Sequence, residues 1–296
     1  MSAPTSDTPR QHQRVKRKQV QADDGWTVIT HTSTSKSSSR RSAGKNRNAH
    51  KVQHARPTQI VEGLTVQKLQ EELDRFTKRW DESAYAENLK NILSKRVWNI
   101  DNAVCIGIGS LSIDWENRYR SMWQLVFFMS VLKIVLKDRN NEDIKLYAQE
   151  PAFTSLDTEF LASLPHPIVA VTQSIEDYIS GKSLVFAPFV DWTLLLPVFL
   201  KDKDPELYVG NEVLDDYKIY AGNPENEAAR ETCEKIGSAF LVDREMSRVN
   251  GSGSDAFTDS VQGLVVYWRN LESSSKTEKG VGVEELVQKM AKSAIQ

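Results

Sequence analysis

At 296 residues the chain is long enough to bury a substantial core, and its net charge of −2 conceals two oppositely charged regions. Residues 1–57 carry 12 Lys or Arg against 3 Asp or Glu, whereas the remainder carries 26 against 37, so an acidic globule with a basic arm is expected. Two cysteines, Cys105 and Cys233, exclude a disulfide framework and a cysteine zinc cluster, and the absence of an apolar leader or bilayer-length run leads us to expect a reducing compartment, cytoplasmic or nuclear, and no membrane.

Residues 1–57 are rich in Ser, Thr, Gln, Lys and Arg, with eight Ser or Thr among the twelve positions from His31 to Ser42. Such a composition cannot bury enough apolar surface to offset chain ordering, so a disordered arm is expected. Arg14, Lys16, Arg17 and Lys18 read either as a site for an import receptor or as a solvated tail, and the arm's charge is the sole hint of nucleic acid. Asp24-Gly25-Trp26-Thr27-Val28-Ile29 is an apolar island that reads as a short docking motif.

Residues 58–100 form a helical lead-in. Leu69, Leu73, Phe76 and Trp80 fall four, three and four residues apart, which places them on one helical face. That face should pack on the main domain, and a second short helix should carry Tyr85, Leu89, Ile92 and Leu93.

From 101 to 272, strand and helix signals alternate, which predicts an α/β domain: a Rossmann-like, doubly wound, mostly parallel sheet with helices on both faces. Strands are expected at Ala103–Ile108, Ile144–Gln149, Ile168–Val171, Ser183–Pro188, Glu206–Val209 and Gly263–Trp268. Helices are expected at Arg120–Leu136, Asp157–Leu164, near Trp192–Leu200 and at Pro224–Phe240. The first is apolar nearly all round and should be central. Residues 273–296 read as a linker and a terminal helix over Val283–Ile295.

In such sheets ligands bind beyond the carboxyl ends of the strands. The residues expected there are Gly107, Gly109 and Ser110 after the first strand, Glu150 after the second, Asp191 after the fourth and Asn211 after the fifth. Glycines at a strand end admit a sharp turn and a close ligand, so Gly107-Ile108-Gly109 reads either as a phosphate or nucleotide cradle or as a plain tight turn. The third glycine of a dinucleotide fingerprint would fall at Ser112, and the acid of the methyltransferase version at Cys105. Glu150 reads as a ribose acceptor or as a carboxylate capping the following helix. Asp191, Glu212, Asp215 and Asp216 read as a cation site or as helix-dipole complementation. His166, flanked by Pro165 and Pro167, has no neighbouring acid at ligand spacing, so no metal site and no catalytic residue is assigned. Cys105 should be a buried strand residue and Cys233 half exposed on a helix.

The order of motifs resembles the SRR-like (Sensitivity to Red light Reduced) family. The matching residues are Cys105-Ile106-Gly107-Ile108-Gly109-Ser110, the helix start Arg120-Ser121-Met122-Trp123-Gln124-Leu125, Tyr147-Ala148-Gln149-Glu150-Pro151-Ala152-Phe153-Thr154 and Leu207-Tyr208-Val209-Gly210-Asn211-Glu212. The island Asp24-Gly25-Trp26-Thr27-Val28 is similar to a tryptophan motif ahead of that domain. Where family members often carry Pro-His-Cys, this chain reads Pro188-Phe189-Val190, so any role of that histidine is absent. The resemblance implies a regulatory protein in signalling, acting through protein partners and a small ligand of unknown identity, without evident catalysis. The alternative is a nucleotide- or S-adenosylmethionine-binding enzyme in which Gly107, Gly109 and Glu150 cradle the cofactor.

Overall fold

The computed structural model describes residues 59–115, 117–137, 144–220, 227–251 and 257–270, together with two strands of the arm. The arm and the rest of the chain are separate compact units, divided between Ala55 and Arg56. Within the arm, β1 (Arg17–Gln21) and β2 (Thr27–His31) pair antiparallel, with Arg17 opposite His31 and Gln21 opposite Thr27. Arg17 and Lys18 of the basic run fall on the first of these strands and Thr27 to Ile29 of the apolar island on the second. Trp26, Arg14, Lys16 and the terminal helix expected at Val283–Ile295 lie outside the described residues.

The second unit begins with α1 (Val66–Asp81) and α2 (Ala84–Leu93). Both start on hydroxyl caps: Lys68 N–H donates to Thr65 Oγ1 at 3.3 Å and Ala86 N–H to Ser83 Oγ at 3.2 Å, which satisfies donors the first turn leaves without partners. Leu69, Leu73, Phe76 and Trp80 are all buried, as their spacing predicts. They meet α3 (Arg118–Val135), with the Trp80 ring 5.2 Å from Phe127 and the Phe76 ring 4.2 Å from Trp123. The Trp80 indole N–H donates to Ser130 Oγ at 2.9 Å, so this large ring is buried without an orphaned donor.

Seven strands of this unit form one sheet in the order β5-β4-β3-β6-β7-β9-β8. They are β3 (Asn102–Ile106), β4 (Lys145–Gln149), β5 (Ile168–Ala170), β6 (Ser183–Ala187), β7 (Leu207–Gly210), β8 (Arg244–Arg248) and β9 (Val265–Arg269). The first five in that order run parallel, whereas β9 is antiparallel to β7 and β8 antiparallel to β9. Helices cover both faces. Ala103, Cys105, Leu184, Phe186, Leu207 and Val209 join the core formed by α1, α2, α3, α4 (Ser155–Ala162) and α7 (Thr258–Val261). On the opposite face Tyr208 and Tyr267 pack against Phe240 of α6 (Glu227–Leu241). The domain is therefore Rossmann-like and α/β, as the strand and helix alternation predicts.

α3 explains its own composition. Its inner side lies on β6, with Phe127 and Phe128 5.6 and 5.4 Å from Phe186, and its outer side lies under α1 and α7, with Trp123 4.7 Å from Phe257. A helix covered on both sides has no polar face to keep, and each large side chain it buries contributes roughly 1.5–3 kcal/mol. Near Trp192–Leu200 the expected helix is a short turn, α5 (Trp192–Leu194), that widens into π-helical backbone over Leu195–Leu200. β8 was not expected from the sequence; Arg-Glu-Met-Ser-Arg is an edge strand whose charges conceal its pairing.

Candidate functional site

The strand order reverses between β3 and β6, so the crevice of this fold lies at their carboxyl ends. The Gly107 and Gly109 loop, the loop after β6 and the end of β7 all lie on that edge. The helix that follows the glycine loop is α3, and α7 reaches the same edge because β9 runs antiparallel and begins opposite Gly210.

Gly107 and Gly109 have φ of 73° and 79°, the left-handed conformation that glycine adopts without penalty. A Cβ on Gly109 would lie 2.5 Å from Ser121 Oγ and 2.8 Å from Trp115 Cζ2. The close approach that requires glycine here is made by the protein's own Trp115 and Ser121. The loop's donors are also engaged internally. Gly107 N–H donates to Gln149 O at 3.0 Å, Gly109 N–H to Glu150 Oε2 at 3.0 Å, and Leu111 N–H to Asp157 Oδ1 at 3.0 Å. Ser112 and Ile113 N–H both donate to Ser110 Oγ, at 3.2 and 3.1 Å. A phosphate cradle needs such N–H groups to point at the ligand, and five of them already donate within the protein.

Glu150 is the centre of this arrangement, because its second oxygen accepts from Ala152 N–H at 2.9 Å. It ties the glycine loop to the turn that follows β4, while the helix beyond that turn is capped by Thr154 and Asp157 and not by Glu150. Ser110 is fully buried and its hydroxyl donates to Asp157 Oδ2 at 2.6 Å. Asp157 also accepts Thr154 N–H at 2.8 Å within a capping box at the start of α4. Across the crevice, Asn211 Oδ1 accepts Phe189 N–H at 3.1 Å and its amide donates to Val190 O at 2.7 Å, which clamps the loop after β6. Asp191 caps α5 through Thr193 N–H at 2.8 Å and Thr193 Oγ1 at 2.5 Å. Four candidate side chains thus hold loops in place, and all remain on one edge of the sheet.

The cation site suggested by Asp191, Glu212, Asp215 and Asp216 does not assemble. Glu212 pairs with Arg248 and Asp216 with Lys218, and among the described residues no three His, Cys, Asp or Glu come together as a metal site. Cys233, expected half exposed, is buried with its thiol directed at Trp192 O, 3.8 Å away. Burial pushes that thiol up to about 11, with Asp191 and Glu234 adding to the effect. Burial also raises the Cys105 thiol well above its ordinary range, with a smaller push from Glu150. Both are inert thiols rather than nucleophiles.

Arg120 lies in the first turn of α3, a turn with no acidic residue, and its guanidinium carbon stands 3.9 Å from the centroid of the Phe189 ring. Phe189 itself has a left-handed φ of 58°. Arg118, two residues earlier on α3, is paired to Glu72 at 2.7 Å, whereas the Arg120 Nε is buried with no hydrogen-bond partner among the described residues. Burial lowers the Arg120 pKa, partly opposed by the charge of Asp259. The sequence signal was available: a cation just inside a helix N-terminus opposes the helix dipole and calls for a reason.

A family model described as the SRR1 domain matches residues 65–268. No curated protein matches the chain. Among solved structures, the chain is similar to cofactor-bound Rv0187 from MTB, at 9% identity and a TM-score of 0.37, covering 69% of this chain and 90% of that one. It is also similar to a chain of the complex between the Haloferax volcanii Trm112 methyltransferase activator and the putative methyltransferase, at 12% identity and a TM-score of 0.31, covering 66% and 94%. The matched span runs from the cap of α1 to the last strand of the sheet and includes the glycine loop, Glu150 and Asn211. This chain belongs to the SRR1 domain family.

Proposed function

We propose that this protein is an intracellular regulatory module, cytoplasmic or nuclear, that acts through protein partners and holds a small ligand at the carboxyl edge of its sheet without transforming it. One observation carries the reading. Four polar side chains at that edge are already engaged in holding loops: Glu150 on Gly109 and Ala152, Ser110 on Asp157, Asn211 on Phe189 and Val190, Asp191 on Thr193. Groups committed in this way stiffen a binding surface but cannot change partners during a reaction without releasing the loops they hold. The basic run Arg14, Lys16, Arg17 and Lys18 would serve an import receptor in this reading.

The test is thermal unfolding of the full chain with S-adenosylmethionine, NADH, ATP and haem, followed by analysis of the compound recovered. A ligand that binds only the native state raises stability by about 2.7 kcal/mol at a hundredfold excess over its Kd. A shift with the compound recovered intact supports the reading. Release of S-adenosylhomocysteine, NAD or ADP over many turnovers, above that of the extract alone when a cell extract supplies methyl, hydride and phosphoryl acceptors, establishes the enzyme alternative in its place. Replacing the four basic residues with alanine in a fluorescent fusion should reduce nuclear signal; an unchanged distribution removes the import role.

A further inference from the structure

We infer that Arg120, stacked on Phe189 at the carboxyl edge of β6, is the recognition residue for a small oxyanion, a carboxylate or phosphate group carried by the ligand of this crevice. The inference rests on the ligand reading above and adds a chemical class to it.

A guanidinium presents five donors in a planar fork and loses hydration readily, so burial without an acceptor is a cost that native proteins seldom leave uncompensated. Two other arginines show the usual remedy. Arg118 donates to both carboxylate oxygens of Glu72, at 2.7 and 2.9 Å, and Arg230 donates to both oxygens of Glu234, at 2.7 and 2.8 Å. Arg120 makes no ion pair and no hydrogen bond among the described residues, and its Nε is sealed from solvent. Its flat face is covered by Phe189 instead, which fixes the plane of the fork and leaves its edge as the binding element.

The platform is built rather than incidental. Phe189 is held at a φ of 58°, a conformation costly for an aromatic residue. Its N–H is captured by Asn211 Oδ1 and the next carbonyl by the Asn211 amide. Asn211 is therefore a positioning residue for the Phe189 ring. The carboxylates on this edge are engaged elsewhere: Glu150 by backbone N–H groups and Asp191 by Thr193. Asp259, exposed on α7, is the acid whose field reaches Arg120 without pairing to it. Two oxygens of a carboxylate or phosphate group donated by a ligand would satisfy the fork in two parallel hydrogen bonds.

The experiment follows the arginine Nε–H resonances of the full chain by nuclear magnetic resonance. Inorganic phosphate, pyrophosphate and citrate are titrated separately at constant ionic strength, with sodium chloride as the control. Arg120→Gln identifies the resonance and removes the charge; Arg120→Lys keeps the charge and removes the fork. The expected result is a saturable shift of the Arg120 signal with at least one oxyanion, absent with chloride. Affinity, read in wild type and both variants from the rise of the thermal midpoint with oxyanion concentration, should fall at least tenfold in R120Q and to an intermediate degree in R120K. Phosphate and pyrophosphate against citrate decide which oxyanion is preferred. If one variant fails to fold, the wild-type resonance and the other variant still decide the matter. A shift that never saturates, or equal affinity in wild type and either folded variant, overturns the inference. If a neutral compound stabilises the protein while no oxyanion moves Arg120, the crevice still binds a ligand and only the role of Arg120 is lost.

Discussion

Asp157→Asn should be among the most damaging isosteric substitutions in this protein. The carboxylate is fully buried and accepts three hydrogen bonds, from Leu111 N–H at 3.0 Å, Thr154 N–H at 2.8 Å and Ser110 Oγ at 2.6 Å. An amide keeps one oxygen and turns the other acceptor into a donor. If the amide nitrogen takes the Oδ2 place, it faces the Thr154 N–H and a serine hydroxyl that already accepts from Ser112 and Ile113. If it takes the Oδ1 place, Leu111 N–H loses its acceptor. A buried donor left unmatched costs about 1–3 kcal/mol, and a charge-assisted bond is worth about 1.5–3 kcal/mol, so the expected loss is about 3–5 kcal/mol. Urea unfolding of the variant reports it through the midpoint at unchanged slope. Ser110→Ala should be coupled to it, because both remove the same bond, and the double variant should lose less than the sum of the singles. A loss below about 1 kcal/mol, or strict additivity, would refute the view that this node holds the glycine loop.

Gly109→Ala should cost about 2–5 kcal/mol, combining a left-handed residue with overpacking against Trp115 and Ser121; a thermal midpoint within a degree of wild type would show that the loop simply yields. Glu206→Gln leaves Arg96 and Arg269 without their buried carboxylate and should destabilise by about 3–5 kcal/mol in urea unfolding, a prediction that fails if the loss is that of a surface pair. Burial pushes the Cys233 thiol up to about 11 and the Tyr217 phenol up to about 12, from ordinary values of 9.0 and 10.0. The native state therefore keeps protons that the unfolded chain releases, so this contribution is intact below pH 9 and is lost as pH rises toward 11 and 12; a midpoint that rises over that interval contradicts it. For the same reason neither cysteine should react with a thiol reagent at pH 8 until denaturant is added, and rapid labelling of the native chain would contradict their burial.

Most of the architecture was legible in the chain. The four-three-four spacing of Leu69, Leu73, Phe76 and Trp80 marks a buried face, and the uncharged centres of β3, β6 and β7 mark strands covered on both sides. The carboxyl-edge rule then placed Gly107, Gly109, Glu150, Asp191 and Asn211 on one rim. β8 escaped because Arg244, Glu245 and Arg248, suited to a sheet edge, leave it no apolar period. The widened π-helical segment Leu195–Leu200 includes Pro197, whose ring conflicts with regular helix hydrogen bonding.

By itself the sequence determined the parallel α/β order, the central apolar helix and the rim of candidate residues, because periodicity and strand-end chemistry are properties of neighbouring positions. What only the tertiary structure decided is how those residues are partnered. Gly109 lies 41 positions from the Glu150 that captures its N–H, and Ser110 lies 47 from the Asp157 that accepts its hydroxyl. Arg120 and Phe189 meet because α3 crosses the end of β6. A pattern of residue types names the donors and acceptors a chain possesses, but their saturation depends on distances that exist only after the sheet has brought distant segments together. That saturation separates a loop satisfied from within, at the glycines, from the Nε of Arg120, which meets no acceptor among the described residues.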